Sequence, residues 1–259
     1  MDRQIYHDLA TAGSGYWWNQ GRQHLVLGLI RKFSGRHLPD PGYRILDVGC
    51  AAGGTLSFLG AWGEAWGLDC SSEAIALCRT AGQPAERLVL GDATHLEPFE
   101  AETFDLVTAV EILEHLEEPE TALASAWRVL KPGGLLILTV PADQRLWSER
   151  DQRLAHRRRY RIEELAQSVA RAGFQVLKAS YANAFYYWPY RWLLGWRRLL
   201  GREPVPRIRT NTYLPHPWLS ALFAGLLRIE TRLILIGRLP WGVSAVCAAR
   251  KPAAAGAKP

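Results

Sequence analysis

The chain has 259 residues, 48% of them hydrophobic, which is enough for one large core with a sizeable appendage. A formal net charge of +6 excludes a strongly acidic, self-solvating chain and leaves nucleic acid, anionic lipid and acidic small molecules as compatible partners. Cys50, Cys70, Cys78 and Cys247 form no CxxC pair and no zinc-ligand spacing, and the opening MDRQIYHDLA has no apolar run of the signal-peptide kind, so a reducing, cytoplasmic setting is expected.

In chain order, short apolar runs at 44–48 (RILDV), 65–69 (AWGLD), 87–91 (RLVLG), 104–110 (FDLVTAV) and 134–140 (GLLILTV) suit strands buried on both faces. Helical patterns separate them. Ser71 and Ser72 are placed to cap a helix carrying Ala74, Ile75 and Leu77, and Pro119 opens one carrying Leu123, Trp127 and Leu130. A further helix, 162–172, puts Ile162, Leu165 and Val169 on one face and ends at Gly173; the strand FQVLKASYA follows. Strands that alternate with helices predict an α/β, doubly wound parallel sheet.

The first strand runs into ILDVGCAAGGT, residues 45–55. In a doubly wound sheet the ligand lies beyond the carboxyl ends of the strands, where a small-residue turn admits it to the backbone. A dinucleotide fingerprint needs glycine where Ala51 stands, because the backbone must approach a pyrophosphate. A ligand with an ammonium and a carboxylate calls instead for an acid near the turn, which Asp47 supplies, and for free backbone donors. Asp69 ends the second strand, placed for two ribose hydroxyls under either cofactor. Asp92, after the third, is placed for an adenine amino group, with Ala93 offering a backbone donor. A single acid after a strand is more often a turn or cap residue; three at successive strand ends point to one ligand.

Together ILDVGCAAGG, GLDCS, GDATHL, FDLVTAVEILEHL and VLKPGGLLILTVP, in this order, resemble the class I S-adenosylmethionine-dependent methyltransferases over roughly residues 40–183. The resemblance implies a Rossmann-like, seven-stranded sheet ordered 3-2-1-4-5-7-6 with the last strand antiparallel, and S-adenosylmethionine as cofactor. It places Asp47, Gly49, Cys50, Ala51 and Gly53 at the methionine end, Asp69 and Cys70 at the ribose, Asp92 and Ala93 at the adenine, with Glu111 beside the cofactor. Ala51 departs from the family's usual glycine.

The last strand is best supplied by GVSAVCAAR, 242–250, so residues 184–239 are expected as a helical insertion between the last two strands. The core is then 1–183 with its N-terminal cap helices, completed by the strand within 240–250 and followed by a flexible tail, 251–259. The insertion places Trp188, Trp192 and Trp196 four residues apart among Arg191, Arg197 and Arg198, and then Leu219, Leu222, Phe223, Leu226 and Leu227. Neither half offers the roughly 20 uncharged apolar residues of a spanning helix. Two readings compete: a lid with the tryptophans as its core, or a face lying in a membrane interface. From Arg145 to Arg209 there are fifteen basic and five acidic residues, so positive charge is segregated here.

LWSERDQRLAHRRRY, 146–160, resembles a segment, LWS then D then HRRY, of a bacterial subgroup of these methyltransferases, and YWWNQGRQ, 16–23, resembles that subgroup's N-terminal helix, which covers the cofactor. The first implies an acceptor site lined by Trp147, His156, Arg158, Arg159 and Tyr160, whose guanidinium groups suit a carboxylate or phosphate. The second implies that Trp17, Trp18 and Arg22 close over the methionine end. His115, just after the fourth strand and flanked by Glu111 and Glu114, is the candidate general base for a hydroxyl acceptor; a loop histidine closing the pocket is the competing reading. No acid and amide cluster at ligand spacing suggests a metal. The expected activity is methyl transfer, O-methylation favoured, to a small-molecule or lipid-like acceptor, by a protein peripheral on the inner membrane face. The rivals are a non-catalytic cofactor-binding protein and a nicotinamide-dependent oxidoreductase. Nucleic acid is not expected as a partner, since no NPPY-type motif occurs.

Overall fold

The computed structural model describes residues 17–201 and 217–253. Its sheet has seven strands: β1 (Arg44–Val48), β2 (Glu64–Asp69), β3 (Leu88–Leu90), β4 (Phe104–Val110), β5 (Leu130–Pro141), β6 (Gln175–Ala182) and β7 (Ser244–Arg250). They lie in the order β3-β2-β1-β4-β5-β7-β6. β1 to β5 run parallel, and β7 is antiparallel to both β5 and β6. The helices are α1 (Trp17–Phe33), α2 (Gly54–Leu59), α3 (Ser72–Thr80), α4 (Pro119–Val129), α5 (Glu149–Arg153), α6 (Ile162–Arg171), α7 (Ala184–Leu199) and α8 (Pro217–Ile236).

Alternation along the strands separates two core layers, because successive side chains leave a strand on opposite faces. Ile45, Leu106, Ile137 and Val246 pack with residues of α1, α2, α3 and α8, whereas Leu46, Val107, Leu136 and Cys247 pack with residues of α4 and α6. Helix α1 buries Trp17, Gly21, Leu25, Val26, Leu29 and Ile30, a single stripe at helical spacing. A Cβ at Gly21 would meet Leu227 Cδ1 at 2.0 Å, so α1 and α8 pack closely because position 21 has no side chain. The Ser71 hydroxyl accepts from Ala74 N at 3.3 Å and starts α3, and Pro119 stands in the first turn of α4.

Two expectations need correction. Helix α4 stops at Val129, and Leu130 already pairs with Phe104 in β5; the Lys131–Gly134 stretch is an irregularity inside the strand, with Gly133 at φ +80°. Nor is position 251 flexible. Lys251 is buried, with its ammonium donating to the Leu130 carbonyl at 2.8 Å and lying 4.0 Å from the Trp127 ring. The rest of the expected tail, 254–259, is outside the described residues.

Candidate active site

The turn after β1 takes the shape its sequence suggests. Gly49, Ala51 and Gly53 have φ of +75°, +47° and +80°. At Gly49 a Cβ would lie 1.9 Å from Ile112 Cδ1, so the glycine is required by space as well as by angle. Ala51 adopts the left-handed conformation that glycine takes without cost. Several of the turn's amides are, however, already taken by protein acceptors. The amides of Gly49 and Cys50 donate to the Leu68 carbonyl, Ala51 N donates to Asp69 Oδ2 at 2.9 Å, and Gly53 N donates to the Cys50 carbonyl. Cys50 is a buried packing residue, its sulfur 3.8 Å from that of Cys78; Cys70 is exposed beyond β2.

The three acids differ in what remains free on them. Asp69 holds the turn in place, accepting from Ala51 N and from Ser71 N at 2.9 Å, so a ribose must use its remaining lone pairs. Asp92 accepts both the amide and the hydroxyl of Thr94 at 2.8 Å, and the amide bond leads in holding its carboxyl below the usual range. Ala93 beside it is buried. Asp47 is the exception. It is 1% exposed, accepts from the Thr108 hydroxyl at 2.6 Å through Oδ1, and has no partner for Oδ2. Burial pushes its carboxyl up to about 7, against the Thr108 bond and the Arg22 charge and with the Asp69 charge.

A pocket at the carboxyl edge of the sheet, between α1 and α8, is lined by Trp18, Arg22, Glu111, Thr139, Asn183 and Glu230, among others. Glu111 has φ +58° and accepts from the Thr139 hydroxyl at 3.1 Å, a strained position at a strand end. Trp17 sits against Phe223 and Phe185, with ring centroids 5.2 and 6.4 Å away, while Trp18 meets Tyr186 at 6.4 Å. Packing on α7 and α8 therefore accounts for Trp17, while Trp18 and Arg22 line the pocket from α1 together with Gly21 and Leu25.

On the acceptor side the fold brings together residues far apart in sequence. Arg157 N donates to the Glu114 carbonyl at 2.8 Å, which sets the loop after α5 against the segment after β4. His115 and His156 then lie edge to face, centroids 4.9 Å apart. Glu114 is fully buried between them, Oε1 being 4.0 Å from His115 Nε2 and 3.9 Å from His156 Nε2, and neither carboxylate oxygen has a hydrogen-bond partner. Burial raises the Glu114 carboxyl well above its ordinary value, helped by the Glu111 charge. His115 is lowered to about 4 by burial and then by His156, so its ring is neutral at pH 7 and a weaker base than the sequence suggested.

The HRRY segment also corrects its reading. Asp151 is its anchor: 1% exposed, it accepts from Ser148 N, His156 Nδ1, Arg159 Nε and Arg159 Nη2 at 2.8–3.1 Å. Burial alone would raise its carboxyl, but the His156 bond and the Arg159 charge hold it at about 2. Arg159 also donates to the Ala142 carbonyl, Arg158 to the carbonyls of Leu116 and Glu117, and the buried Tyr160 hydroxyl to the Leu113 carbonyl. These donors knit the wall of the site and do not await an anion. Trp147 is half-buried, its carbonyl accepting from Arg198. The sequence reading gave Asp151 a place in the segment but no role, although Ser148-x-x-Asp151 is a capping-box spacing.

The insertion leaves its tryptophans outside. In α7 the buried residues are Tyr187, Tyr190 and Leu194, whereas Trp188, Trp192 and Trp196 are 55%, 71% and 51% exposed. Helix α8 exposes Trp218, Leu222, Leu226, Ile229, Leu233 and Ile236, again at three- and four-residue spacing. Its buried Glu230 turns inward and caps α7, accepting from the amides of Asn183 and Ala184. Among the described residues, Trp188, Trp192 and Trp196 therefore do not form a packed core. Among the described residues no helix is long and apolar enough to cross a membrane.

With acids at the ends of β1 and β2, a third after β3 and a left-handed small-residue turn in place, the comparison with known families is direct. Residues 46–138 match the family model of a methyltransferase domain. The ubiquinone biosynthesis O-methyltransferase of Hahella chejuensis is 31% identical over 131 residues, 48% of this chain and 55% of that protein. Phthiotriol/phenolphthiotriol dimycocerosates methyltransferase 1 of Mycobacterium ulcerans is 39% identical over 107 residues, 40% of this chain and 39% of its own. The chain spans about half the length, or less, of these relatives. A SAM dependent methyltransferase from Archaeoglobus fulgidus superposes with a TM-score of 0.53 at 19% identity, over 86% of this chain and 89% of its own, which shows a shared fold. The matched span contains Asp47, Asp69, Asp92, Glu111, Glu114 and His115, while His156 and the insertion lie beyond it.

Proposed function

We propose that the chain is an S-adenosylmethionine-dependent methyltransferase that methylates an oxygen of an amphipathic or anionic, lipid-like acceptor met at the inner face of a membrane. The observation that carries the cofactor assignment is the unpartnered, buried Oδ2 of Asp47 at the end of β1, inside the matched methyltransferase domain. A buried carboxylate oxygen without a donor is costly, and a ligand ammonium beside it removes that cost. Asp69 offers its spare lone pairs to a ribose, and Asp92 and Ala93 stand where the adenine would end. When bound, the cofactor supplies a methyl made electrophilic by its sulfonium. The chain's own residues then have to align acceptor and methyl, and such positioning contributes about 7–11 kcal/mol.

The acceptor's character is argued from the insertion. Two apolar stripes, on α7 and α8, face outward beside arginines. Tryptophan suits the headgroup layer, and each arginine near an anionic surface contributes about 1 kcal/mol, so a few give reversible attachment. Relatives named for ubiquinone biosynthesis and for phthiotriol dimycocerosates add weight to a hydrophobic acceptor. The test is untargeted mass spectrometry of lipid extracts from cells with and without the gene, fed methyl-labelled methionine. A labelled, gene-dependent methyl group on a lipid-fraction compound is expected; a label confined to water-soluble compounds overturns the acceptor assignment.

A further inference from the structure

We propose that Glu114, His115 and His156 form a binding site for one divalent transition-metal ion of the zinc type, at the acceptor side of the sheet edge. Their ligand atoms all lie within 4.8 Å of one another.

The argument starts from tautomers. His156 Nδ1 lies 2.9 Å from Asp151 Oδ1, a carboxylate that can only accept there, so Nδ1 carries the proton and Nε2 presents its lone pair. His115 Nδ1 lies 3.3 Å from the Ala155 carbonyl, which likewise can only accept, so its Nε2 is also a lone pair. Both Nε2 atoms face Glu114 Oε1, at 3.9 and 4.0 Å. Two imidazole lone pairs therefore converge on a carboxyl group that is fully buried and whose oxygens have no hydrogen-bond partner. The three groups together make a ready set of ligands for a cation.

A proton would serve only at hydrogen-bond length, near 3 Å, and these separations are too long. Ligands on one metal ion at about 2.0–2.2 Å stand roughly 3–3.6 Å apart, so a small inward rotation of each side chain suffices. Two imidazoles and one carboxylate suit a transition ion rather than magnesium or calcium. The Asp151–His156 pair supplies the outer carboxylate that commonly orients a metal-bound histidine, and Asp151 is itself held by Ser148 and Arg159. His115 is the most exposed of the three, 19% against 8% and 0%, so the open coordination positions lie on its side.

Metal binding stands independently of the function proposed above; its role rests on that reading. An acceptor hydroxyl on an open position would lose its proton to water more readily. Its oxygen lone pair would then form the new O–CH3 bond as the S–CH3 electron pair returns to sulfur. His115 would thus act as a ligand rather than as the base.

The test is Co²⁺ titration of the full chain, followed by visible absorption and by metal analysis after dialysis, with Zn²⁺ competition. One equivalent of Co²⁺ with d–d absorption that Zn²⁺ displaces is expected. Glu114→Gln and His156→Ala should lose it, His24→Ala, an exposed control on α1, should keep it, and Asp151→Asn should weaken it by about 10–100-fold. Circular dichroism shows whether each variant folds; His115→Ala, at the exposed side, gives a second ligand variant should Glu114→Gln unfold. No Co²⁺ uptake by the wild type, or equal uptake by the folded ligand variants, overturns the proposal. Calorimetry with S-adenosylmethionine on the same samples reports separately on the cofactor assignment.

Discussion

The sheet domain and the insertion dispose of their side chains in opposite ways. In the domain Ile45, Leu46, Leu106, Val107 and Leu136 are completely buried, and Asp69 is satisfied by the backbone around it. In the insertion Trp192, Leu199 and Ile236 are 71%, 83% and 82% exposed. An isolated exposed apolar residue is ordinary, whereas two continuous stripes mark a surface with a partner. On the proposed function, the first region holds a ligand of defined shape and the second lies against a membrane surface. Within residues 46–138 the buried side-chain atoms without a hydrogen-bond partner are one oxygen of Asp47 and the two of Glu114.

That contrast can be broken most sharply on the acceptor side of the domain. His115→Ala is expected to lower turnover by about a hundredfold or more, the scale of removing a group that acts on the acceptor's proton, with cofactor affinity unchanged. Steady-state kinetics beside calorimetry would check it; unchanged turnover makes the imidazole structural. Next comes Asp47→Ala. Losing a charge-assisted contact of about 1.5–3 kcal/mol should weaken S-adenosylmethionine by roughly 10- to 150-fold, whereas vesicle binding should not change. The insertion should respond in reverse. Trp192→Ala with Arg197→Glu removes an anchor and reverses one charge, about 2 kcal/mol by the per-charge value, so sedimentation with anionic vesicles should drop about 30-fold at low salt and cofactor affinity should hold. No sedimentation of the wild type at either low or high salt removes the membrane from the account. The smallest effect is expected at Ala51→Gly. Relief of a left-handed alanine, about 1 kcal/mol, is partly offset by the greater freedom of unfolded glycine, so the melting temperature should rise by a few degrees at most.

Much of the fold was legible because parallel strands covered on both faces read as continuous apolar runs, and β1 and β4 fall where RILDV and FDLVTAV stand. KPGG misled because glycine and proline signal a turn locally, whereas here the irregularity is accommodated inside β5. The cofactor acids were legible from their places at strand ends. What each one is bonded to was not, since Asp69 is tied to Ala51, eighteen positions away in the chain. The acceptor side was least legible. HRRY reads as exposed positive charge, but Asp151 and several carbonyls draw its arginines inward, and burial of a guanidinium follows from tertiary partners that spacing does not reveal. His115 was legible as a candidate base and Glu114 only as its neighbour; that His156 meets them both was not, since the loop after α5 brings it in.

The central claim is that Asp47 receives the ammonium of S-adenosylmethionine, and its pH dependence tests it most directly. Its folded carboxyl titrates near 7, above the ordinary value of 3.8. The neutral buried acid thus stabilises the free protein fully below about pH 4, and that contribution is lost as pH rises through 7. A cationic ligand prefers the ionised form, so affinity should move the opposite way. Calorimetry from pH 5.5 to 8 is predicted to show S-adenosylmethionine binding at one site, strengthening by up to about tenfold per pH unit below 7 and levelling above it, with Asp47→Asn weaker and lacking that rise. Equal affinity in wild type and Asp47→Asn at every pH would contradict the account.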